Sequence, residues 1–269
     1  MLKLSVVYLL TSDPRFSLGV RGPLDSLLPK IRSLGIDGVE YNIPNPFDID
    51  GVRLRRITHD YGLDIPVLST GLSHILYGIS LSSIDEYSRL KAVGWIRRYI
   101  DLSCVLESYR IVLGLVRGRC DDRDLGMRFL ISSLIELDRY AHDRGVDILL
   151  EPLSSSETNL VNNVGEALRL VDMFRSVRIL FDVYHVLNEE GDIARSLEYA
   201  GRYIRHVHIA DRSRGVSELG KLPVDQLLKT LSLIGYRGYI SLEARIEYSI
   251  EESIKKFVDI VKGFSQIIG

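Results

Sequence analysis

Short runs of β-branched and apolar residues alternate with longer amphipathic stretches along the whole chain of 269 residues. This alternation predicts parallel strands joined by crossover helices. The predicted strands span residues 3–8, 37–41, 65–69, 110–115, 147–152, 178–182, 204–209 and 239–243. Eight strand–helix units close naturally into a barrel, for which about 250 residues is a usual length. We therefore expect an α/β fold, a (β/α)8 TIM barrel that forms a single domain over residues 1–269.

The segments between the predicted strands carry apolar residues at helical spacing. Residues 23–34 and 123–144 are examples, and Gly35 and Gly145 follow them as predicted helix ends. No Pro-, Gly- or Ser-rich linker divides the sequence. A doubly wound open sheet would usually carry a glycine-rich phosphate turn after its first strand, but residues 11–15 read Thr-Ser-Asp-Pro-Arg. The closed barrel is therefore favoured.

The charge balance and the cysteines exclude several classes of protein. A net charge of −2 predicts no basic surface of the kind that binds nucleic acid or an anionic membrane. Two cysteines, Cys104 and Cys120, make no disulfide framework, so we expect a reducing cytoplasm. The apolar residues 1–10 lack the long core and cleavage site of a signal peptide, and they predict the first strand instead. No apolar run reaches the roughly 18 residues that a membrane span needs.

Each of the last four predicted strands ends in a side chain that can bind a metal. Apolar runs lead into Glu151, Asp182, His208 and Glu243. The carboxyl ends of barrel strands open onto one face, and neighbouring strands lie about 4.8 Å apart. Three carboxylates and one imidazole suit Mn²⁺ or Mg²⁺, and less specifically Co²⁺, Fe²⁺ or Zn²⁺. Without a cation these groups would repel one another, so the sequence predicts one divalent ion here.

Two further ionisable residues, His206 and Glu40, lie in predicted strands. His206 and His208 share one face of a strand because side chains alternate. His208 lies nearer the mouth and is the expected ligand, whereas His206 is expected to be a hydrogen-bonded histidine inside the barrel. Glu40 ends an otherwise apolar run. It faces either the site or an ion-pair partner at the barrel rim.

These segments resemble the xylose-isomerase-like superfamily of sugar isomerases and epimerases, above all its ketose 3-epimerase and hydroxypyruvate isomerase branches. The resemblance spans nearly the whole chain in architecture, and its specific motifs lie in the second half. The matching segments are Glu151-Pro152-Leu153 with Glu157 and Asn159, Asp182-Val183-Tyr184-His185, His206 to Asp211 with Arg214, and Glu243.

The resemblance implies a role for each matching position. Glu151, Asp182, His208 and Glu243 would bind the metal, and Glu151 and Glu243 would also serve as the acid/base pair. The residues implied to contact substrate oxygens are His185, Arg214 and Glu157. Relatives are often dimers or tetramers, so the resemblance also implies a homo-oligomer. Residues 215–221 depart from the family's glycine-rich stretch, which leaves the sugar unidentified.

Several of these roles have a competing interpretation. Arg214 is either a substrate contact or a solvated rim arginine, and Arg212 competes for the same role. Glu157 either faces the pocket or is a carboxylate at a helix start. Asp211 is a candidate to orient a metal ligand. Residues 72–77 either line the pocket or form a surface loop.

The expected reaction is proton transfer next to the carbonyl of a ketose or hydroxy-ketone, through an enediolate. One glutamate removes a proton and the other returns one, which gives epimerisation or aldose–ketose isomerisation. A dehydratase acting on a keto-inositol or a dehydroshikimate-like acid would use the same groups and stays open. A nuclease of the endonuclease IV type needs extra histidines, which residues 68–70 and 114–117 do not supply. No phosphate-cradling glycine turn is present, so an unphosphorylated substrate is favoured.

Overall fold

The strands close into a barrel as the sequence predicts. The computed structural model describes residues 2–268, so Met1 and Gly269, the ends of the predicted domain, lie outside the described residues. All eight strands are parallel and follow chain order around the barrel, until the last strand pairs with the first. They are β1 Lys3–Leu9, β2 Gly38–Asn42, β3 Leu68–Ser69, β4 Arg110–Leu113, β5 Asp147–Leu150, β6 Val177–Asp182, β7 Ile204–Ile209 and β8 Tyr239–Leu242.

Helices surround the barrel and connect successive strands. In the described part of the chain they are α1 Leu24–Ser33, α2 Gly51–Asp60, α3 Gly71–Tyr77, α4 Glu86–Val105, α5 Arg123–His142, α6 Val164–Val171, α7 Val183–Glu189, α8 Ile193–Ala200, α9 Val224–Leu233 and α10 Ile250–Ile268. The predicted glycine stops are confirmed. Gly35 and Gly145 have φ angles of 88° and 67°, a region that a residue without Cβ enters freely.

Some strands are shorter than their apolar runs suggest. The third strand was expected over residues 65–69, but only Leu68 and Ser69 pair with both neighbours. Pro66 has no N–H to donate to a sheet, which fits the late start of this strand. The fourth strand ends at Leu113 rather than residue 115, because the chain turns at Gly114 into a short 3₁₀ helix, Leu115–Arg117.

The barrel axis is filled beneath its carboxyl-end mouth. Val67, Val112, Leu149 and Leu180 form a buried cluster inside the barrel. A larger apolar layer packs between the strands and the surrounding helices. Because the interior is filled by side chains, a pocket forms where the strands end.

Two further features concern the thiols and the helices of the described residues. Both cysteines carry free thiols. Among the helices of the described residues, none combines the length and the apolar character needed to cross a membrane.

Candidate metal centre and active site

The four predicted ligands converge at the carboxyl ends of β5 to β8. Asp182 and His208 are paired neighbours in β6 and β7. Glu151 and Glu243 each lie one residue beyond their strands, and their amides continue the ladder by donating to Leu113 and Ile209. All four side chains are buried, and each offers one ligand atom within 4.8 Å of the others. The structure therefore brings together the set that the sequence singled out.

Two buried atoms of this cluster lack a partner in the described structure. They are Oε1 of Glu151 and Nδ1 of His208. The Nδ1 atom lies 3.5 Å from Glu151 Oε1 and 3.5 Å from Glu243 Oε2. Buried polar atoms are nearly always satisfied, so unpartnered atoms of this kind mark a site for an ion or ligand. The donor set and its orphaned atoms fit a divalent cation.

The pKa shifts of the cluster also indicate a site for a cation. Burial raises the pKa of Asp182 to about 7, and the charges of Glu243 and Glu151 add to this against the opposing charge of Arg214. Burial also raises the pKa of Glu151, with a further contribution from Glu243. Carboxylates whose ionised forms are disfavoured in this way are stabilised by a nearby positive charge.

Glu40 lies inside the barrel below the cluster. It is fully buried and accepts hydrogen bonds from Nε2 of His206 and Nε2 of His208, both at 2.9 Å. The hydroxyl of Ser69 also donates to it. Burial alone would raise the pKa of Glu40, but the two histidines hold it below its usual range. Glu40 is thus neither a rim ion pair nor a pocket residue, and the expected interior role of His206 is confirmed.

The bond to Glu40 determines how His208 can act. An ionised carboxylate only accepts, so Nε2 of His208 must carry a proton. In the neutral imidazole the lone pair then lies on Nδ1, the unpartnered atom that faces Glu151 and Glu243. Carboxylates that orient metal-binding histidines in this way are a common feature of metal sites.

The predicted substrate residues cluster around Arg214. Its guanidinium lies 2.7 Å from Glu157 Oε1 and 2.9 Å from His185 Nε2. The same group lies 3.5 Å from Glu243 Oε2 and 3.9 Å from Asp182 Oδ2. Arg214 and Glu157 therefore both line the cavity, and their contact with substrate stays a prediction.

His185 is positioned by the short helix α7. Asp182 caps this helix by accepting the amide N–H of Tyr184 at 2.7 Å, and the first turn then carries His185 into the site. Nδ1 of His185 accepts the amide N–H of Ser154 at 3.0 Å. Burial, reinforced by the charge of Arg214, lowers the pKa of His185 well below its usual value. The ring is therefore neutral, and its Nε2 faces the guanidinium of Arg214.

The loop that carries Arg214 is held by Asp211. This carboxylate accepts amide hydrogens from Ser213, Gly215 and Glu218 at 2.8–2.9 Å. The expectation that Asp211 orients a metal ligand is wrong, because these amides occupy it. Its neighbour Arg212 is exposed to solvent.

A small cavity of about 30 Å³ opens above the cluster. Its walls include residues that sequence reasoning missed, among them Phe16, Asn42, Gly71, Gly114 and Leu115. Asn42 carried a usable signal, because it lies two residues after Glu40 on the same strand face, whereas Phe16 lies in a loop without one. Residues 72–77 form most of α3 rather than a loop or a pocket wall.

Comparison with known proteins agrees with this geometry. A family model described as Xylose isomerase-like TIM barrel matches residues 28–260. The chain belongs to this family. Fructoselysine 3-epimerase of Shigella flexneri is 26% identical to it over 247 residues, which cover 86% of this chain and 88% of that protein. D-psicose 3-epimerase of Ruminiclostridium cellulolyticum is 28% identical over 254 residues, which cover 88% of this chain and 84% of that protein.

A solved structure of the family shows the same fold. The apo form of 3-keto-D-glucoside 4-epimerase from E. coli superposes with a TM-score of 0.81 at 21% sequence identity. The superposition covers 99% of this chain and 100% of that one. At this identity the likeness establishes the barrel.

Proposed function

We propose that this chain is a divalent-metal-dependent sugar epimerase that transfers a proton next to the carbonyl of a ketose, through an enediolate. The observation that carries the proposal is the placement of Glu151 and Glu243, whose carboxylates each lie 3.5 Å from the unpartnered Nδ1 of His208. The names of the curated relatives, which are 3-epimerases of fructoselysine and psicose, support the same reaction class.

The residues that would hold the ion are Glu151, Asp182, His208 and Glu243. Mn²⁺ is the first choice because hard oxygen donors dominate the set, and Mg²⁺, Co²⁺ or Zn²⁺ are alternatives. When bound, such an ion supplies positive charge that stabilises a developing negative oxygen of the substrate.

Two carboxylates can divide the proton transfer between them. Glu151 follows β5 and Glu243 follows β8, so they reach the pocket from different parts of the barrel mouth. One carboxylate removes the carbon-bound proton, and the other delivers a proton to the opposite face of the same carbon.

Arg214 places a hydrogen-bond donor beside these carboxylates. Its guanidinium lies 3.5 Å from Glu243 Oε2 and 2.9 Å from Nε2 of His185. Donors arranged before the reaction stabilise negative charge as it develops on an oxygen. Glu157 fixes Arg214 from the other side at 2.7 Å, so we assign it a role in orienting the substrate-binding arginine.

The charges of the pocket favour a neutral sugar. Among the described residues that line it, Arg214 is the one cation, and it already faces Glu157, Glu243 and Asp182. A phosphate group would meet carboxylates without a free positive partner. We therefore propose an unphosphorylated ketose as the substrate class.

The nuclease alternative is not favoured. The third and fourth strands end at Ser69 and Leu113. His74, the histidine nearest in sequence to the end of the third strand, has its Nδ1 at 2.8 Å from the carbonyl of Ile79. The dehydratase alternative is not favoured either, because the curated relatives are named as epimerases.

The test starts from chelator-treated protein incubated with a panel of free ketoses and their phosphates, with and without Mn²⁺. Chromatography of the products should show an epimer of at least one free ketose, formed only with metal. The absence of any epimer from protein shown to bind Mn²⁺ would contradict the epimerase assignment.

A further inference from the structure

Arg117 is a fully buried arginine that the proposed reaction does not use. It ends the short 3₁₀ helix Leu115–Arg117 after β4 and has 0% of its surface exposed. Burying a guanidinium costs solvation free energy unless hydrogen bonds or an opposite charge compensate it. The burial of this charged side chain therefore has to be compensated by its contacts.

The hydrogen bonds that Arg117 makes among the described residues all go to main-chain carbonyls. Nη1 donates to Leu113 at 2.7 Å and also to the carbonyl of Glu151. Nε and Nη2 donate to the carbonyls of Leu160 and Val161 at 3.3 and 3.4 Å. One planar side chain thus connects the ends of β4 and β5 with the far end of the loop that leads to α6.

The loop held by Arg117 contains a strained residue. Val161 is buried and has a φ of 61°, a region that β-branched residues rarely enter. Such conformations persist only where the surrounding contacts enforce them. The carbonyl of Val161 accepts from Arg117 and from the amide of Leu153 at 3.3 Å, so this side chain is one of the contacts that close the loop.

The same turn also touches the side chain of Glu151. A Cβ atom placed on Gly114 would lie 2.5 Å from Glu151 Oε2, so the carboxylate packs directly against this glycine. Arg117 fixes the main chain of Glu151 while Gly114 leaves room for its carboxylate. Both contacts act on the residue that the proposed function uses as ligand and base.

We propose that Arg117 is a positioning residue for Glu151: its guanidinium holds the carbonyl of Glu151 so that the carboxylate points into the metal cluster. This inference rests on the proposed function, because it assigns Glu151 a place in the metal centre. Lysine cannot replace the guanidinium, because an ammonium group is a point donor that cannot bridge carbonyls on several segments in one plane.

The test compares Arg117→Lys and Arg117→Gln with the wild-type protein and with Arg89→Lys. Arg89 is a matched control, since it is 7% exposed and bonds Ser133 and Glu136 away from the site. Mn²⁺ affinity is measured by calorimetry, and unfolding is followed by circular dichroism. Loss of a residue that supports a ligand typically weakens metal binding by about 10–100-fold. We expect a loss of this size in both Arg117 variants and none in Arg89→Lys, and the Gln variant provides the measurement if the Lys variant does not fold.

A double-mutant cycle distinguishes positioning from general stability. If Arg117 acts through Glu151, Arg117→Lys should weaken Mn²⁺ binding much less in a Glu151→Gln background than in an Asp182→Asn background. Equal losses in both backgrounds, or unchanged affinity in a folded Arg117 variant, would overturn the inference and leave the proposed function standing. A wild-type protein that binds no divalent ion would instead overturn the proposed function and the inference with it.

Discussion

Glu40 Oε2 lies 2.9 Å from Nε2 of His208, deep inside the barrel and 168 residues away in sequence. This bond fixes a proton on Nε2 of His208, so in the neutral ring, the form that binds a metal, the lone pair of Nδ1 faces Glu151 and Glu243. The orientation and tautomer of the proposed ligand are therefore set from below the site by a residue that does not line the pocket.

Glu40→Gln should weaken Mn²⁺ binding by about 10–100-fold, since the amide no longer enforces this tautomer. Tyr41→Phe is the matched control, because Tyr41 lies on the same strand as Glu40. The substitution removes a buried hydrogen bond between Tyr41 and Thr58 and does not change a contact of His208. Calorimetric titration of both variants checks the prediction. A similar affinity in the two variants would show that Glu40 does not orient the ligand.

Gly114→Ala should lower kcat by about 100-fold, because the new Cβ would displace the carboxylate of Glu151 by a distance that matters for proton transfer. Gly94→Ala, in the interior of α4 with open space around the new Cβ, should leave kcat unchanged. It should also stabilise the fold by about 0.5–1 kcal/mol. Steady-state kinetics and thermal unfolding of the two variants give the answer. Full activity in Gly114→Ala would refute the steric argument.

The contribution of Asp182 to the stability of the metal-free protein should fall as the pH rises from about 4 to about 7. The pKa of Asp182 is raised to about 7 in the fold, against about 3.9 in an unfolded chain, so the folded state holds the proton more tightly across this window. Deprotonation therefore costs folding free energy there. Mn²⁺ needs the ionised carboxylate, so the increase in Tm that it produces should grow between pH 5 and pH 7. An increase that is the same at both pH values would be inconsistent with the site.

Arg214→Gln should lower kcat by about 10²–10³-fold, as expected for the loss of one preorganised donor to a developing oxyanion. Arg212→Gln provides the control, because Arg212 is exposed on the same loop. Mn²⁺ affinity should be retained in both variants. Equal kinetic effects of the two substitutions would remove Arg214 from the reaction.

Much of this arrangement could be predicted from the sequence, for a physical reason. Barrel strands are buried apolar runs that all end on one face, so a charged residue at the end of a run is visible in the sequence. Glu151, Asp182, His208 and Glu243 were found in this way. The third strand was predicted too long, because Ile65 and Val67 read as strand while Pro66 between them cannot donate to a sheet.

The roles of the supporting residues could not be found in this way. Glu40 and His208 are far apart in sequence, and their contact depends on the closure of the barrel. Arg117 reads as one of many arginines, and its role depends on carbonyls that approach from two other segments. Apolar periodicity indicates which face of a strand is buried, but it does not indicate which polar groups meet there.

The central claim is that Glu151 and Glu243 exchange a carbon-bound proton next to a carbonyl. The most direct measurement is proton NMR of a free ketose incubated with the protein in deuterated water, with and without Mn²⁺. We predict metal-dependent deuterium incorporation at the carbon beside the carbonyl, lost in Glu151→Gln and in Glu243→Gln while both variants remain folded. Incorporation that persists in either variant, or none in a wild-type protein that produces an epimer, would contradict the claim.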